Sequence, residues 1–338
     1  MSSPVRNRLE QGLSQQKPRS RPRSVFFRDE ELRPAWGLLL FAAIYMALQT
    51  AVASPLEHML SAWNGRSHLL TPGHLLGREM TQCAVLLIST VLMAKIEGRR
   101  IAVYGFGDNS GWIRFCWGLL SGFAALSILV GALWRLHLLV FDGVGLHGTD
   151  VFKFALAWAV TLFVACFYEV VLLRGYIQFA LVRGIGFWFA ALILSLLFSF
   201  WLGEGRAGLL YIGNDFSINI FLFLSLWYTS SFWWGVGFLA AWDWAQIYFF
   251  GVADSGFAAE GHLLSTHTTG STLWSGGAIG PEGSLLLSPL MFLLSVSMWL
   301  LWRRRDRSRG VQVFTSVNRE AATKHKVGFR QKTDNEEL

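Results

Sequence analysis

The sequence predicts an all-α membrane protein that crosses the bilayer several times. Of its 338 residues, 53% are hydrophobic and only 15% are charged, and they include 16 Trp and 27 Phe. Soluble domains average about 25% charged residues. Long apolar runs alternate with short polar segments, and about 20 apolar residues are enough for one helical crossing. We therefore expect a polytopic protein with about eight transmembrane helices.

Eight apolar segments are the candidate spans. In chain order they are residues 35–56, 80–94, 115–134, 154–173, 185–203, 216–228, 232–252 and 284–302. The first, third and fifth contain no charged side chain. The second is short, but Glu79 and Lys95 at its ends can extend their charged groups to the membrane surface. The fourth is apolar except for Glu169.

The sixth and seventh spans come from one long apolar segment, and the eighth span contains a proline. Only Asp243 is charged between Asp215 and Asp254, and this segment is too long for a single crossing. The polar residues 229–231 divide it into the sixth and seventh spans. The eighth span contains Pro289, which we expect to kink the helix.

The charges of the connecting segments orient the spans. Lys and Arg are concentrated in the N-terminal arm, in the C-terminal tail and in the connections after the second and fourth spans. The loop 254–283 contains no Lys or Arg. Because positively charged loops remain in the cytoplasm, both termini are expected there. Residues 1–34 would form a basic cytoplasmic arm, residues 35–302 the transmembrane domain, and residues 303–338 a basic, disordered tail.

The net charge of +7 does not indicate nucleic-acid binding. The basic residues lie outside the apolar body, where solvated tails and contacts with membrane lipids are their usual role. Cys83, Cys116 and Cys166 fall within apolar segments, away from the Cys and His spacings of zinc sites. We expect no cofactor and no metal.

Three ionisable residues lie in or at the ends of the spans. Glu169 and Arg174 are on the fourth and Asp243 is on the seventh. A charge at the bilayer centre costs about 2.5–3.5 kcal/mol on insertion scales, so it marks a functional site or a specific contact. Glu169 and Arg174 point about 140° apart around a helix. Arg174 is a candidate partner for Asp243, and an ion pair that only fixes helix register is the structural alternative.

The segments around these charges have a familiar pattern. They read EVVLLRGY from Glu169, LFSFWLG from Leu197 and GFLAAWDW from Gly237. In order and spacing they resemble the bacterial branch of the CAAX-protease and bacteriocin-processing (CPBP, or Abi) family of intramembrane peptidases, over about residues 150–250. That family carries Glu-Glu-x-x-x-Arg, Phe-x-x-x-His and His-x-x-x-Asn/Asp motifs on three membrane helices. The resemblance implies a multi-pass protein of the inner (plasma) membrane that hydrolyses peptide bonds in a peptide or protein substrate.

The resemblance assigns catalytic positions to three residues. Glu169 matches the first acid, Arg174 the arginine and Asp243 the final Asn or Asp. In the family, the first acid and the first histidine activate a water molecule. The second histidine and the Asn or Asp stabilise the oxyanion that forms when this water attacks the peptide carbonyl.

The other motif positions depart from the family pattern. The second acid is Val170 and the second histidine is Leu239. The first histidine position is Leu202, or Trp201 if the intervening turn has lost one residue. All histidines of the chain lie outside the candidate spans, in segments expected to be loops or tail: His58, His68, His74, His137, His147, His262, His267 and His325. We therefore expect hydrolysis to be weakened or lost.

Three alternatives remain open at this stage. A re-entrant loop could bring His262 or His267, with Glu260 nearby, into the site. A non-catalytic protein could bind a peptide, a lipid or a partner protein in the former active-site cavity, which the two leucines make more apolar. A transporter that uses the three charges as a relay is the least favoured, because the sequence shows no internal repeat.

Overall fold

The computed structural model describes residues 27–28, 31–64, 70–107, 110–203, 208–254 and 256–303. Residues 1–26 of the expected arm and 304–338 of the expected tail lie outside this part. The described chain is mostly helical. Its α-helices are α1 (Pro34–Leu48), α2 (Ser54–Asn64), α3 (Pro72–Ile96), α4 (Gly111–Arg135), α5 (Thr149–Arg174), α6 (Tyr176–Ile185), α7 (Phe187–Gly203), α8 (Leu209–Thr229), α9 (Phe232–Trp244), α10 (Thr272–Ser275) and α11 (Leu287–Arg303).

Short helical turns of other types connect these helices. Two are π-helical, Gln49–Ala53 between α1 and α2 and Ala245–Phe249 directly after α9. The others are 3₁₀ turns at Ile101–Tyr104, Gly277–Ile279 and Pro281–Gly283. π-helical turns are often found at functional sites, and the one after α9 follows Asp243 by two residues.

Five helical segments in the described residues are long and apolar enough to cross a membrane. They are Pro34–Met59, Pro72–Ile96, Gly111–Arg135, Thr149–Ile185 and Leu209–Thr229. The apolar parts of α7 and α11 are shorter, and α9 has 13 residues before its π-helical turn. The prediction of a helical membrane protein is therefore confirmed, and three of the eight expected spans correspond to helices below full spanning length.

The structure changes two details of the predicted helices. The predicted span 154–173 belongs to a helical segment of 37 residues, Thr149–Ile185, in which Gly175 separates α5 from α6 with φ −92° and ψ −122°. His58 and His74, expected in loops, lie in α2 and in the first turn of α3.

Two short antiparallel ribbons, which the sequence did not predict, accompany the helices. Strand β1 (Phe27–Arg28) pairs with β2 (Glu31–Leu32). Strand β3 (Leu139–Val144) pairs with β4 (Leu264–Thr268), with Leu139 opposite Thr268. Because β4 comes from the loop 254–283 and β3 follows α4, this loop is folded against the end of the helical bundle.

Helices α4 and α9 approach each other at backbone distance through glycines. Gly118 and Gly122 of α4 lie against backbone carbonyl oxygens of α9, and Gly237 of α9 lies against one of α4. A Cβ atom at any of these positions would overlap the backbone of the other helix. Small residues four apart permit such close contact between membrane helices. The contact fixes α9, and with it Asp243, inside the bundle.

Most of α9 is buried, and its aromatic side chains form a stack. The rings of Trp234 and Phe238 are 5.3 Å apart between centroids, and those of Phe238 and Trp242 are 5.9 Å apart. The helix packs against α4, α5 and α8. Because three helices pack around it, α9 is a central element of the fold, and its polar residues lie against protein side chains.

Candidate intramembrane site

The site lies where α5 and α9 meet. Cys166 of α5 donates a hydrogen bond from its Sγ to Oδ2 of Asp243, at 3.1 Å. Glu169 lies three residues after Cys166 and so shares its face of α5. The carboxylates of Glu169 and Asp243 are close enough to interact electrostatically, and both side chains are half-buried. The structure thus brings Glu169 and Asp243 to one site, and the charge of Arg174 also acts on Glu169 there.

Arg174 has a different partner from the one expected. Its guanidinium is buried, with the residue 4% exposed, and Nη2 donates to the backbone oxygen of Asn219 at 3.2 Å and to its Oδ1 at 3.0 Å. Its Cζ lies 4.5 Å from the ring centroid of Phe223, a cation–π contact. The expected pairing with Asp243 is replaced by Asn219 because α8 lies beside the end of α5. Nε and Nη1 of Arg174 have no hydrogen-bond partner among the described residues.

A polar chain on α8 continues from this contact. Asn219 donates from Nδ2 to Oδ2 of Asp215 at 3.2 Å, and Asp215 is hydrogen-bonded to Ser199 of α7. The three residues were not predicted as site residues, because Asn219 and Ser199 carry no charge and Asp215 was interpreted as a span boundary. Ser199 therefore connects α7 to Arg174 through two residues of α8, Asp215 and Asn219.

The outer loop supplies two further carboxylates. Trp242 of α9 donates from Nε1 to Oε1 of Glu282 at 3.3 Å. Gln246, in the π-helical turn after α9, donates from Nε2 to Oδ1 of Asp254 at 3.4 Å. The charged groups that act most strongly on Asp243 are Asp254, then Glu282, and then Glu169. The site is consequently rich in carboxylates.

The degenerate motif positions lie in apolar surroundings where the structure describes them. Val170 is fully buried and Leu239 is 6% exposed. Trp201 is 65% exposed on α7, so its side chain faces away from the bundle and cannot replace the first histidine. The side chain of Leu202 lies outside the described part.

The loop histidines have partners elsewhere. His262 contacts Oγ of Ser265 through Nε2 at 3.3 Å. His267, on β4, lies with Nδ1 2.9 Å from Oδ2 of Asp142 on β3. The β3–β4 pairing holds His267, and His262 lies two residues before β4. Among the hydrogen bonds of the described residues, none joins either histidine to Glu169 or Asp243, so the alternative in which one of them enters the site is not the arrangement in this structure. Within the described ranges, no group of three or more His, Cys, Asp or Glu side chains is arranged to hold a metal ion.

A second polar cluster, the Glu97 cluster, is built around one carboxylate and includes Glu97, Arg99, Tyr104, Tyr176 and Arg183. The hydroxyl of Tyr176 donates to Oε1 of Glu97 at 2.7 Å, and that of Tyr104 donates to Oε2 at 3.3 Å. Arg99 lies 3.3 Å and Arg183 3.8 Å from Oε2. Burial raises the pKa of Tyr104 above its usual range, and the charge of Glu97 raises it further, so this hydroxyl remains a donor.

The comparisons with known proteins give no family assignment. No protein-family model matches the chain, and no curated protein matches it. The resemblance to intramembrane peptidases therefore depends on the three motif segments, and the function has to be argued from the geometry of the site.

Proposed function

We propose that the chain is a multi-pass protein of the inner (plasma) membrane with eight crossings and both termini in the cytoplasm. The charge distribution of the connecting segments supports this topology. The β3–β4 ribbon supports it as well, because it joins the connection after α4 to the loop after α9. Both connections are assigned to the non-cytoplasmic side, and strands can pair only if they lie on the same side.

We further propose that the function is that of a CPBP-type intramembrane endopeptidase whose hydrolysis is weakened or lost. The observation that carries this proposal is the Cys166–Asp243 contact, because it brings the α5 face that bears Glu169 against Asp243 of α9. Two motif acids from distant parts of the chain thus share one half-buried site. In a site of low dielectric constant, a carboxylate can act as a general base toward a water molecule.

The missing imidazoles explain why the rate should be low. In the family pattern, one histidine assists the base and the other donates to the oxyanion, and here Leu239 occupies the second position. Removal of one oxyanion donor typically lowers a rate by about 10²–10³. Nε and Nη1 of Arg174, which have no partner among the described residues, are donors on a group that interacts with Glu169, but Arg174 is held by Asn219 and Phe223 on the α8 side.

A non-catalytic protein that binds a peptide, a lipid or a partner protein is the second candidate. The buried apolar side chains of Val170 and Leu239 favour it, because they replace an acid and a histidine of the motifs. Such a site offers apolar contact to a bound chain and lacks the groups that would assist its cleavage. The first candidate, and the second where its ligand is a peptide, place a peptide segment beside Glu169 and Asp243.

The test uses the purified protein in detergent with a library of fluorogenic peptides and with a photoreactive apolar peptide. Glu169→Ala is the informative variant, and Asp150→Ala is the matched control, because Asp150 is an exposed acid on the same helix. We expect crosslinking to the wild type and the control, with hydrolysis weak and abolished by Glu169→Ala. Rapid hydrolysis that requires Glu169 would contradict the loss of activity, and absence of both crosslinking and hydrolysis would contradict the proposal.

A further inference from the structure

Gln246 contains a buried acceptor with no partner at the edge of the acidic site. The residue is fully buried. Its Nε2 donates to the backbone oxygen of Ala253 at 3.0 Å and to Oδ1 of Asp254 at 3.4 Å. Its Oε1 has no hydrogen-bond partner among the described residues. The unpaired oxygen thus belongs to the same amide whose nitrogen contacts the Asp254 carboxylate. Buried polar groups in native structures are nearly always paired, so this oxygen calls for a donor.

The surrounding charges select the same kind of ligand. The charged groups that interact with Asp243 are Asp254, Glu282 and Glu169, and all three are acids. Arg174 interacts with Glu169 and Asp215 and is held by Asn219 of α8. A ligand beside Gln246 and Asp243 would therefore meet oxygen acceptors. It should bring both positive charge and N–H donors.

The spacing of the acids favours an ammonium group over a metal ion as the bound cation. In the described ranges, the acids do not converge in a group of three or more suited to a metal ion. An alkylammonium group has three N–H donors on one nitrogen and can contact oxygens on several sides. We propose that the Asp243–Gln246–Asp254 end of the site binds a protonated amine of the peptide, either a lysine side chain or the N-terminal ammonium. This inference rests on the proposed function, in which a peptide enters the site.

The experiment compares four peptides on the wild-type protein. All share one apolar 12-residue sequence with a benzophenone side chain; the central residue is lysine or norleucine, and the N-terminus is free or acetylated. Charge-assisted hydrogen bonds are about twice as strong as neutral ones. Loss of the amine that the site uses should therefore weaken binding about 10-fold or more, a modest figure for one such contact. The arm that loses affinity identifies lysine or the N-terminus as the source of the amine.

Two variants locate the effect. Gln246→Leu removes the unpaired oxygen and Asp254→Asn removes the neighbouring charge, so each should reduce the preference for the charged peptide to near zero. Asp142→Asn is the control, because Asp142 is an exposed acid on β3. If a variant does not fold, the comparison of the four peptides on the wild-type protein still shows whether the site binds an amine.

The outcomes separate this inference from the function it rests on. Equal binding of all four peptides would overturn the amine site and leave peptide binding intact. No binding of any peptide would overturn both. A charged-peptide preference that survives in folded Gln246→Leu and Asp254→Asn would overturn the assignment of the amine to this end of the site.

Discussion

The Glu97 cluster surrounds one carboxylate with donors, whereas the site around Asp243 gathers several carboxylates and leaves buried polar atoms unpaired. Glu97 is contacted by two tyrosine hydroxyls and two guanidinium groups. Among the described residues of the candidate site, by contrast, Oε1 of Gln246 lacks a partner, and so do Nε and Nη1 of Arg174, whose charge acts on Glu169. The two regions differ in how completely their polar groups are satisfied.

This difference separates a structural role from a functional one. A buried charge with a full set of partners holds elements together, because removal of one partner leaves the others exposed to an apolar medium. The Glu97 cluster does this for α3, α6 and the Ile101–Tyr104 turn. A polar cluster with unpaired atoms contributes less to stability, and such groups in native proteins call for an explanation, such as a ligand or a catalytic role.

The largest expected effect follows from removing the centre of the satisfied cluster. Glu97→Ala leaves Arg99 and Arg183, whose side chains are 16% and 18% exposed, without their common carboxylate. We expect a loss of about 3–5 kcal/mol in the free energy of unfolding, the range for breaking a buried ion pair. Unfolding in detergent, followed by tryptophan fluorescence, measures it. A loss below about 1 kcal/mol would show that the cluster is not structural.

A smaller effect is expected from one donor of the same cluster. Tyr176→Phe removes the 2.7 Å hydrogen bond to Glu97 and keeps the ring stacked on Phe41. Hydrogen bonds to charged groups contribute about 1.5–3 kcal/mol, so a loss in that range is expected. Tyr104→Phe is the graded control, since its hydroxyl lies at 3.3 Å and should contribute less. Equal losses of stability in the two variants would contradict the expectation that the shorter hydrogen bond contributes more.

The smallest effect is expected in the acid-rich site. Asp243→Asn removes one of several mutually repelling carboxylates and keeps an acceptor for the Cys166 thiol. We expect the free energy of unfolding to change by less than about 1 kcal/mol, because the repulsion removed offsets the weaker hydrogen bond. The same variant should lower peptide crosslinking. A large loss of stability would favour the alternative in which these charges only fix helix register.

An exposed ion pair sets the baseline for these measurements. Lys153 and Asp150 of α5 lie 2.9 Å apart with side chains 70% and 55% exposed. Surface pairs of this kind contribute about 0–1 kcal/mol, so Lys153→Ala should change stability by no more than that. A larger change would mean that the detergent alters surface electrostatics. The stability changes of the other variants would then have to be corrected for the change measured in Lys153→Ala.

Composition and local pattern were enough to predict the membrane class and most helices. Charge-free runs identify spans because charge in the bilayer is costly. Glu169 and Asp243 were selected by the same rule, and the structure places both where α5 contacts α9 through Cys166 and Asp243. What local pattern cannot show is where a neutral polar residue points, so Asn219, Ser199 and Gln246 were missed.

Long-range pairing was beyond the sequence argument as well. The loop 254–283 has no span-like signal. Its strand pairing with Leu139–Val144 and the hydrogen bond from Asn214 of α8 to the backbone oxygen of Glu282 hold it against the bundle, where Asp254 and Glu282 lie near α9. Arg174 was expected to partner Asp243 because both are charged. It contacts Asn219 because the packing of α8 against α5 decides which acceptor is within reach.

Glu97 and Glu169 can be neutralised by a matched pair of substitutions, one in each region. Glu97→Gln and Glu169→Gln each replace a carboxylate with an amide of the same shape, and their free energies of unfolding can be measured in one detergent. We predict that Glu97→Gln loses at least about 2 kcal/mol through weakened bonds to charged and hydroxyl donors, while Glu169→Gln changes by less than about 1 kcal/mol. Equal losses, or a larger loss for Glu169→Gln, would contradict the claim that the first cluster is structural and the second is a functional site.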